Sequence, residues 1–180
     1  MITINQTIPD FELEAFHKGE IKKIKFSDYI GKWLILLFYP ADFTFVCPTE
    51  LREAASFYKQ FQKYKAEIIS ISTDSVYVHK AWHEQSDAIK EIMFPMASDR
   101  GGKVSRAFGS YIDEEGISIR ATFIIDPDGV LKVLEMHDND VGRSSSEILR
   151  KLQALDFVRK NTGQLCPASW KPGEKAIKTP

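Results

Sequence analysis

The stretch 33-WLILLFYPADFTFVCPTELREAASFYKQF-61 changes character twice. Residues 33–39 form an unbroken apolar run, which predicts a central strand buried on both faces. From Leu51 onward, apolar side chains recur at Ala54, Ala55, Tyr58 and Phe61, the face of an amphipathic helix. Between strand and helix lies a turn that carries Pro40, Thr44, Cys47 and Pro48. A second strand, 66-AEIISIS-72, leads into 73-TDSVYVHKAWHEQ-85, read as a helix behind a Thr/Asp/Ser cap. This β-α-β-α order predicts a parallel sheet with right-handed crossovers, and hence an α/β fold.

Upstream, 11-FELEAFHKGEIKKIKF-26 reads as an N-terminal hairpin around HKGE. Downstream, 101-GGKVSRAFGS-110 is a short helix bracketed by glycine. Strands 119-IRATFIID-126 and 130-VLKVLEMH-137 meet at DPDG, a strong antiparallel turn. A last helix is expected to open at 144-SSSE-147, where Ser144 and Glu147 have capping-box spacing, with Ile148, Leu149, Leu152, Leu155 and Val158 on its apolar face. Residues 1–160 are thus expected as one domain. Residues 161–180, rich in Pro, Gly and Lys yet containing Cys166 and Trp170, read as a C-terminal tail that docks on its own core or on a neighbour.

Composition narrows the function. A chain of 180 residues fits one domain, and at this size about 70% of its unfolded surface can be buried without a metal or disulfide staple. Its 24 Lys+Arg balance 25 Asp+Glu, so no basic field attracts nucleic acid or anionic lipid. The N-terminus lacks the pattern of a signal peptide, and 33–39 is too short to span a bilayer. A cytoplasmic location is therefore expected, where reducing conditions favour a transient role for the two cysteines over a permanent disulfide.

Cys47 stands directly before Pro48 at the mouth of the first helix, facing the positive end of the helix dipole. Ready reactivity at neutral pH needs a thiol pKa about two units below the free value of roughly 8.5. That is about 2.7 kcal/mol, whereas a helix terminus supplies about 0.3–1 and at most ~2 kcal/mol. A cation is needed as well. Arg52 is poorly aimed, ~140° around the helix from Cys47. Arg120 is better placed if its strand lies beside 33–39, because its guanidinium offers forked donors to a thiolate and to a polar substrate. Thr44 brings a hydroxyl that donates and accepts. Glu50 can hold the arginine, and Pro40 can roof the turn without a competing N–H. Taken singly, Cys47 also fits a small buried hydrophobe, and Arg120 and Glu50 a structural ion pair.

The segment 40-PADFTFVCPTE-50 resembles the active site of typical two-cysteine peroxiredoxins, whose signature is Pro-x-x-x-Thr-x-x-Cys. The likeness continues through 71-ISTDS-75, 79-HKAWH-83, 120-RATFIIDPDG-129, 142-GR-143 and 165-LCPASWKPGE-174, and is strongest to the peroxidase subunit of bacterial alkyl hydroperoxide reductases. It implies a thioredoxin-like fold with a central mixed sheet flanked by helices. It further implies Cys47 as peroxidatic cysteine, Pro40, Thr44 and Arg120 as its companions, Glu50 as support for Arg120, and Cys166 as resolving cysteine. Peroxide would be reduced through a sulfenic acid and an intersubunit disulfide, in homodimers that often close into decamers. The resemblance implies no cofactor or metal, and an external disulfide reductase: a flavoprotein reductase subunit or a thioredoxin system. Sensitive members carry a Gly-Gly-Leu-Gly motif and a Tyr-Phe C-terminal helix. Here 86-SDAIKE-91 has no glycine and the sequence ends at Pro180, which predicts resistance to overoxidation.

Other motifs read as structural. His79 and His83 are four apart on a helix, but no further ligand cluster joins them. In 100-RGGK-103 the glycines lack phosphate-loop spacing, and Trp82 and Trp170 read as packing or interface residues. The rival to an enzyme is a holdase chaperone or redox-signalling scaffold in which peroxide acts only as a switch. A third reading is a binding module indifferent to Cys47.

Overall fold

The computed structural model describes residues 1–179; Pro180, the last residue of the expected tail, lies outside them. Its main sheet holds β1 (Glu12–His17), β2 (Glu20–Lys25), β3 (Trp33–Phe38), β4 (Ala66–Ser72), β5 (Met96–Ser98), β8 (Arg120–Ile125) and β9 (Leu131–His137). The helices are α1 (Cys47–Gln62), α2 (Val76–Gln85), α3 (Lys103–Phe108) and α4 (Ser145–Lys160). Two small hairpins pair β6 (Tyr111–Ile112) with β7 (Ile117–Ser118), and β10 (Gln164–Leu165) with β11 (Ile177–Lys178).

The spatial order is β2-β1-β5-β4-β3-β8-β9. Strands β3, β4 and β5 run parallel, as the βα repeats require, while β8 returns antiparallel beside β3 and makes the sheet mixed. All six residues of β3 are buried. Alternation sends Trp33, Ile35 and Leu37 into the core layer shared with Leu51, Ala54 and Phe61 of α1 and Leu149 and Leu152 of α4. Leu34, Leu36 and Phe38 enter the opposite layer with Phe108 of α3 and Phe123 of β8. Each such side chain contributes about 1.5–3 kcal/mol relative to exposure, so β3 organises both cores.

Two local expectations fare differently. Helix α2 starts as anticipated, with Ser75 as N-cap accepting a hydrogen bond from the Val78 N–H. The capping box at α4 does not form. Ser144 is the N-cap residue, but its hydroxyl pairs with that of Ser146. Glu147 turns outward to Arg150, and the Ser145 N–H donates to Glu53 of α1 at 2.7 Å. A carboxylate from the neighbouring helix has taken over a donor at the helix start.

Register places the site. Phe38 pairs with Ala121, so Arg120 stands level with the point where the chain leaves β3 for the 40–46 turn. The tail folds back on α4: Trp170 is buried, its ring 4.7 Å from that of Phe157, and its indole N–H donates to the Glu174 carbonyl.

Candidate active site

Helix α1 begins at Cys47, with Pro48 in its first turn, and the thiol is fully buried. The N–H groups of Thr49 and Glu50 both reach the Val46 carbonyl, so they are spoken for within the turn rather than free to face the sulfur, as the sequence had suggested. The positive partner is instead a side chain. Arg120 Nη1 lies 3.3 Å from Cys47 Sγ and 2.8 Å from Glu50 Oε2. Its Nε donates to the Asn139 carbonyl at 2.8 Å, which fixes the plane of the guanidinium. Burial alone would lower the Arg120 pKa, but contact with Cys47 and Glu50 outweighs it and holds the group above its ordinary value.

Glu50 is itself buried and takes two arginines. Arg143 donates to it from Nε (2.8 Å), Nη2 (2.9 Å) and its backbone N–H (2.7 Å). Burial pushes the carboxyl pKa up, yet the hydrogen bonds and charge of Arg143, joined by Arg120, bring it below the usual carboxylate range. Arg143 was not singled out from sequence as a site residue, although 142-GR-143 lies in the recognised pattern. The available signal was valence: a buried carboxylate has about four acceptor sites, and one arginine cannot fill them. Arg52 is exposed, away from the sulfur.

The turn that precedes α1 carries two further candidates. Pro40 is buried, and the Thr44 hydroxyl donates to the Ala41 carbonyl at 2.8 Å, leaving its oxygen free to accept. Phe43 sits at φ +55°, a left-handed conformation costing a non-glycine residue about 1–3 kcal/mol. Cys166 stands elsewhere: both thiols are free, and Cys166 is half-buried against α4, 3.7 Å from the Ala154 carbonyl. Burial raises its pKa despite nearby Arg150. The structure therefore joins Cys47, Glu50 and Arg120 by direct contact, carries Pro40 and Thr44 on the turn that precedes α1, and keeps Cys166 on the tail.

Comparison with known proteins agrees in sequence and in shape. The AhpC/TSA family matches residues 4–134, and the C-terminal domain of 1-Cys peroxiredoxin matches residues 154–180. The chain is 42% identical over 177 residues to alkyl hydroperoxide reductase C of Pseudomonas aeruginosa, covering 98% of this chain and 95% of that one. It is 46% identical over 182 residues to the selenocysteine-containing peroxiredoxin PrxU of Peptoclostridium acidaminophilum, covering 99% and 90%. Among solved structures it is similar to Enterococcus faecalis AhpC, with a TM-score of 0.89, 43% identity and coverage of 93% and 100%. The reduced 2-Cys peroxiredoxin of Plasmodium vivax superposes with a TM-score of 0.93 at 32% identity, covering 97% and 92%. These relatives favour the enzyme over the holdase or scaffold reading. With a buried thiol under an arginine and relatives of this kind along nearly its whole length, the chain belongs to the AhpC/TSA family and is a peroxiredoxin, a thiol-dependent peroxidase.

Proposed function

We propose that Cys47 is the peroxidatic residue and that the contact of Arg120 Nη1 with its sulfur, at 3.3 Å, is the observation that carries the assignment. The Cys47 thiolate attacks one peroxide oxygen of hydrogen peroxide or an organic hydroperoxide. The S–O bond forms as the O–O bond breaks, and the departing oxygen takes a proton to leave as water or alcohol. Arg120 supports the negative charge as it moves from sulfur to the leaving oxygen, Thr44 accepts a hydrogen bond from the peroxide, and Pro40 keeps water off the sulfur. Glu50 and Arg143 act one step back by holding Arg120.

The resulting sulfenic acid condenses with the Cys166 thiol, releasing water and leaving a disulfide, which an external dithiol reduces. Cys166 is docked on α4 of its own chain with its thiol held protonated by burial, so reaching a sulfenic acid requires the tail to leave that seat. The acceptor is Cys47 of a second copy. Exposed Phe43 and Phe45 on either side of Thr44 support self-association, as a dimer or a ring of dimers. A flavoprotein reductase subunit or a thioredoxin system supplies electrons, in the cytoplasm. Among the described residues no helix is long and apolar enough to cross a membrane.

The direct test is a non-reducing gel after one equivalent of peroxide. A dimer band is expected that Cys166→Ser abolishes; a band surviving that substitution sinks the intersubunit disulfide. Arg120→Met should slow Cys47 oxidation about 100-fold, read by competition against a peroxidase of known rate. Sulfinic Cys47 should stay scarce in mass spectra during turnover at low peroxide, since 86–91 forms a turn without the glycines of sensitive relatives.

A further inference from the structure

The 79-HKAWH-83 motif finds a use that the peroxidatic residues do not include. His79 on α2 and Asp42 in the 40–46 turn have side chains with no exposed area, and His79 Nδ1 lies 2.7 Å from Asp42 Oδ2. The other ring nitrogen is 3.2 Å from the Ala97 carbonyl of β5. Carboxylate and carbonyl are both acceptors, so each ring nitrogen faces an acceptor and the imidazole is fixed at both ends. The second Asp42 oxygen accepts from the Tyr39 hydroxyl at 2.7 Å, and the Asp42 N–H donates to Asp74 Oδ2 at 2.9 Å. Burial and the Asp42 charge hold the Tyr39 hydroxyl well above its ordinary pKa, so it remains a donor.

This clamp grips the residue directly before Phe43, the one left-handed residue of the turn. One helical turn beyond His79, Trp82 lies 6.0 Å from the Phe43 ring and 6.2 Å from the Tyr39 ring. Helix α2 therefore holds the turn at two points, the residue before the strained one and the strained residue's own ring. A strained backbone persists only where its surroundings over-determine it. Released at Asp42, the turn would relax at Phe43, and Thr44 would move with it.

We propose that His79 is a positioning residue of the peroxide site, holding the Pro40–Thr44 turn in its reactive shape through the Asp42 carboxylate. The proposal rests on the assignment of Cys47 as peroxidatic. It concerns the fit of the peroxide, not the sulfur, and that gives a readout a purely structural role would not move. In a Cys166→Ser background, Cys47 oxidation by hydrogen peroxide and alkylation by iodoacetamide are measured side by side. Alkylation needs the thiolate but not the peroxide pocket.

His79→Leu should lower the peroxide rate about 30-fold while alkylation changes by less than about threefold. His79→Asn, whose amide can donate from the position of Nδ1, should recover most of the lost rate. Tyr39→Phe, which deletes one hydroxyl, should cost about fivefold with alkylation again unchanged, and this arm decides the matter if His79→Leu does not fold. An unchanged peroxide rate in folded His79→Leu or in Tyr39→Phe overturns the proposal, as does a parallel fall in both rates. A parent that alkylates but does not react with peroxide overturns the Cys47 assignment instead.

Discussion

Cys47→Ser is expected to reduce peroxide consumption by at least about 10³-fold, to the level of the reaction without enzyme. Serine is close to isosteric, and the side chain is fully buried, so the substitution leaves the packing of α1 against β3 in place. Chemistry is what changes. An alcohol does not ionise near neutrality even with Arg120 Nη1 beside it, and oxygen has no accessible sulfenic acid state. The measurement is peroxide loss with excess dithiol, paired with a thermal melt to show that the variant is folded. Residual turnover above a few per cent, from a protein free of contaminating peroxidase, would move the active sulfur to Cys166.

Glu50→Ala is expected to cost about 3–5 kcal/mol of stability, because it strands two arginines, Arg120 and Arg143, that are almost wholly enclosed. That is a large share of the roughly 5–15 kcal/mol that holds a domain together. Urea unfolding measures it, and a loss below about 1 kcal/mol would show the two guanidiniums to be solvated. The same group gives a pH signature. Its pKa is lower in the folded protein than in the unfolded chain, so its contribution is complete above the unfolded value of about 4.3. It disappears as pH falls through the folded value. The stability gap between the parent and Glu50→Gln should therefore be widest near neutrality and narrow in acid. A gap independent of pH would mean that Glu50 is not ionised in the fold.

The parts of the site visible beforehand are those fixed by neighbours in the chain. Cys47 at a helix mouth follows from Pro48 and the apolar period that starts at Leu51. Arg120 beside it follows from one extra assumption, that its strand borders β3, which the Phe38–Ala121 register satisfies. Arg143 was out of reach of such reasoning. It lies 93 positions from Glu50, in the loop between β9 and α4, and no periodicity points a loop arginine at a particular carboxylate. The α4 cap failed for a related reason: Ser144 and Glu147 have the right spacing, but spacing says nothing of Glu53 arriving from another helix. Likewise the histidine pair reads as structural from sequence, but what His79 holds is not legible there, because its partners, Asp42 and Ala97, come from elements on either side of it in the chain.

The three tryptophans fall in three different places: Trp33 at the base of β3, Trp82 against the reactive turn, and Trp170 in the tail. All are nearly solvent-free, so each would redden its emission on meeting water. A chain keeping only Trp82 would light up movements of the turn, and one keeping only Trp170 the departure of the tail from Phe157. The molecule thus holds its own optical labels for timing the two halves of a catalytic cycle separately.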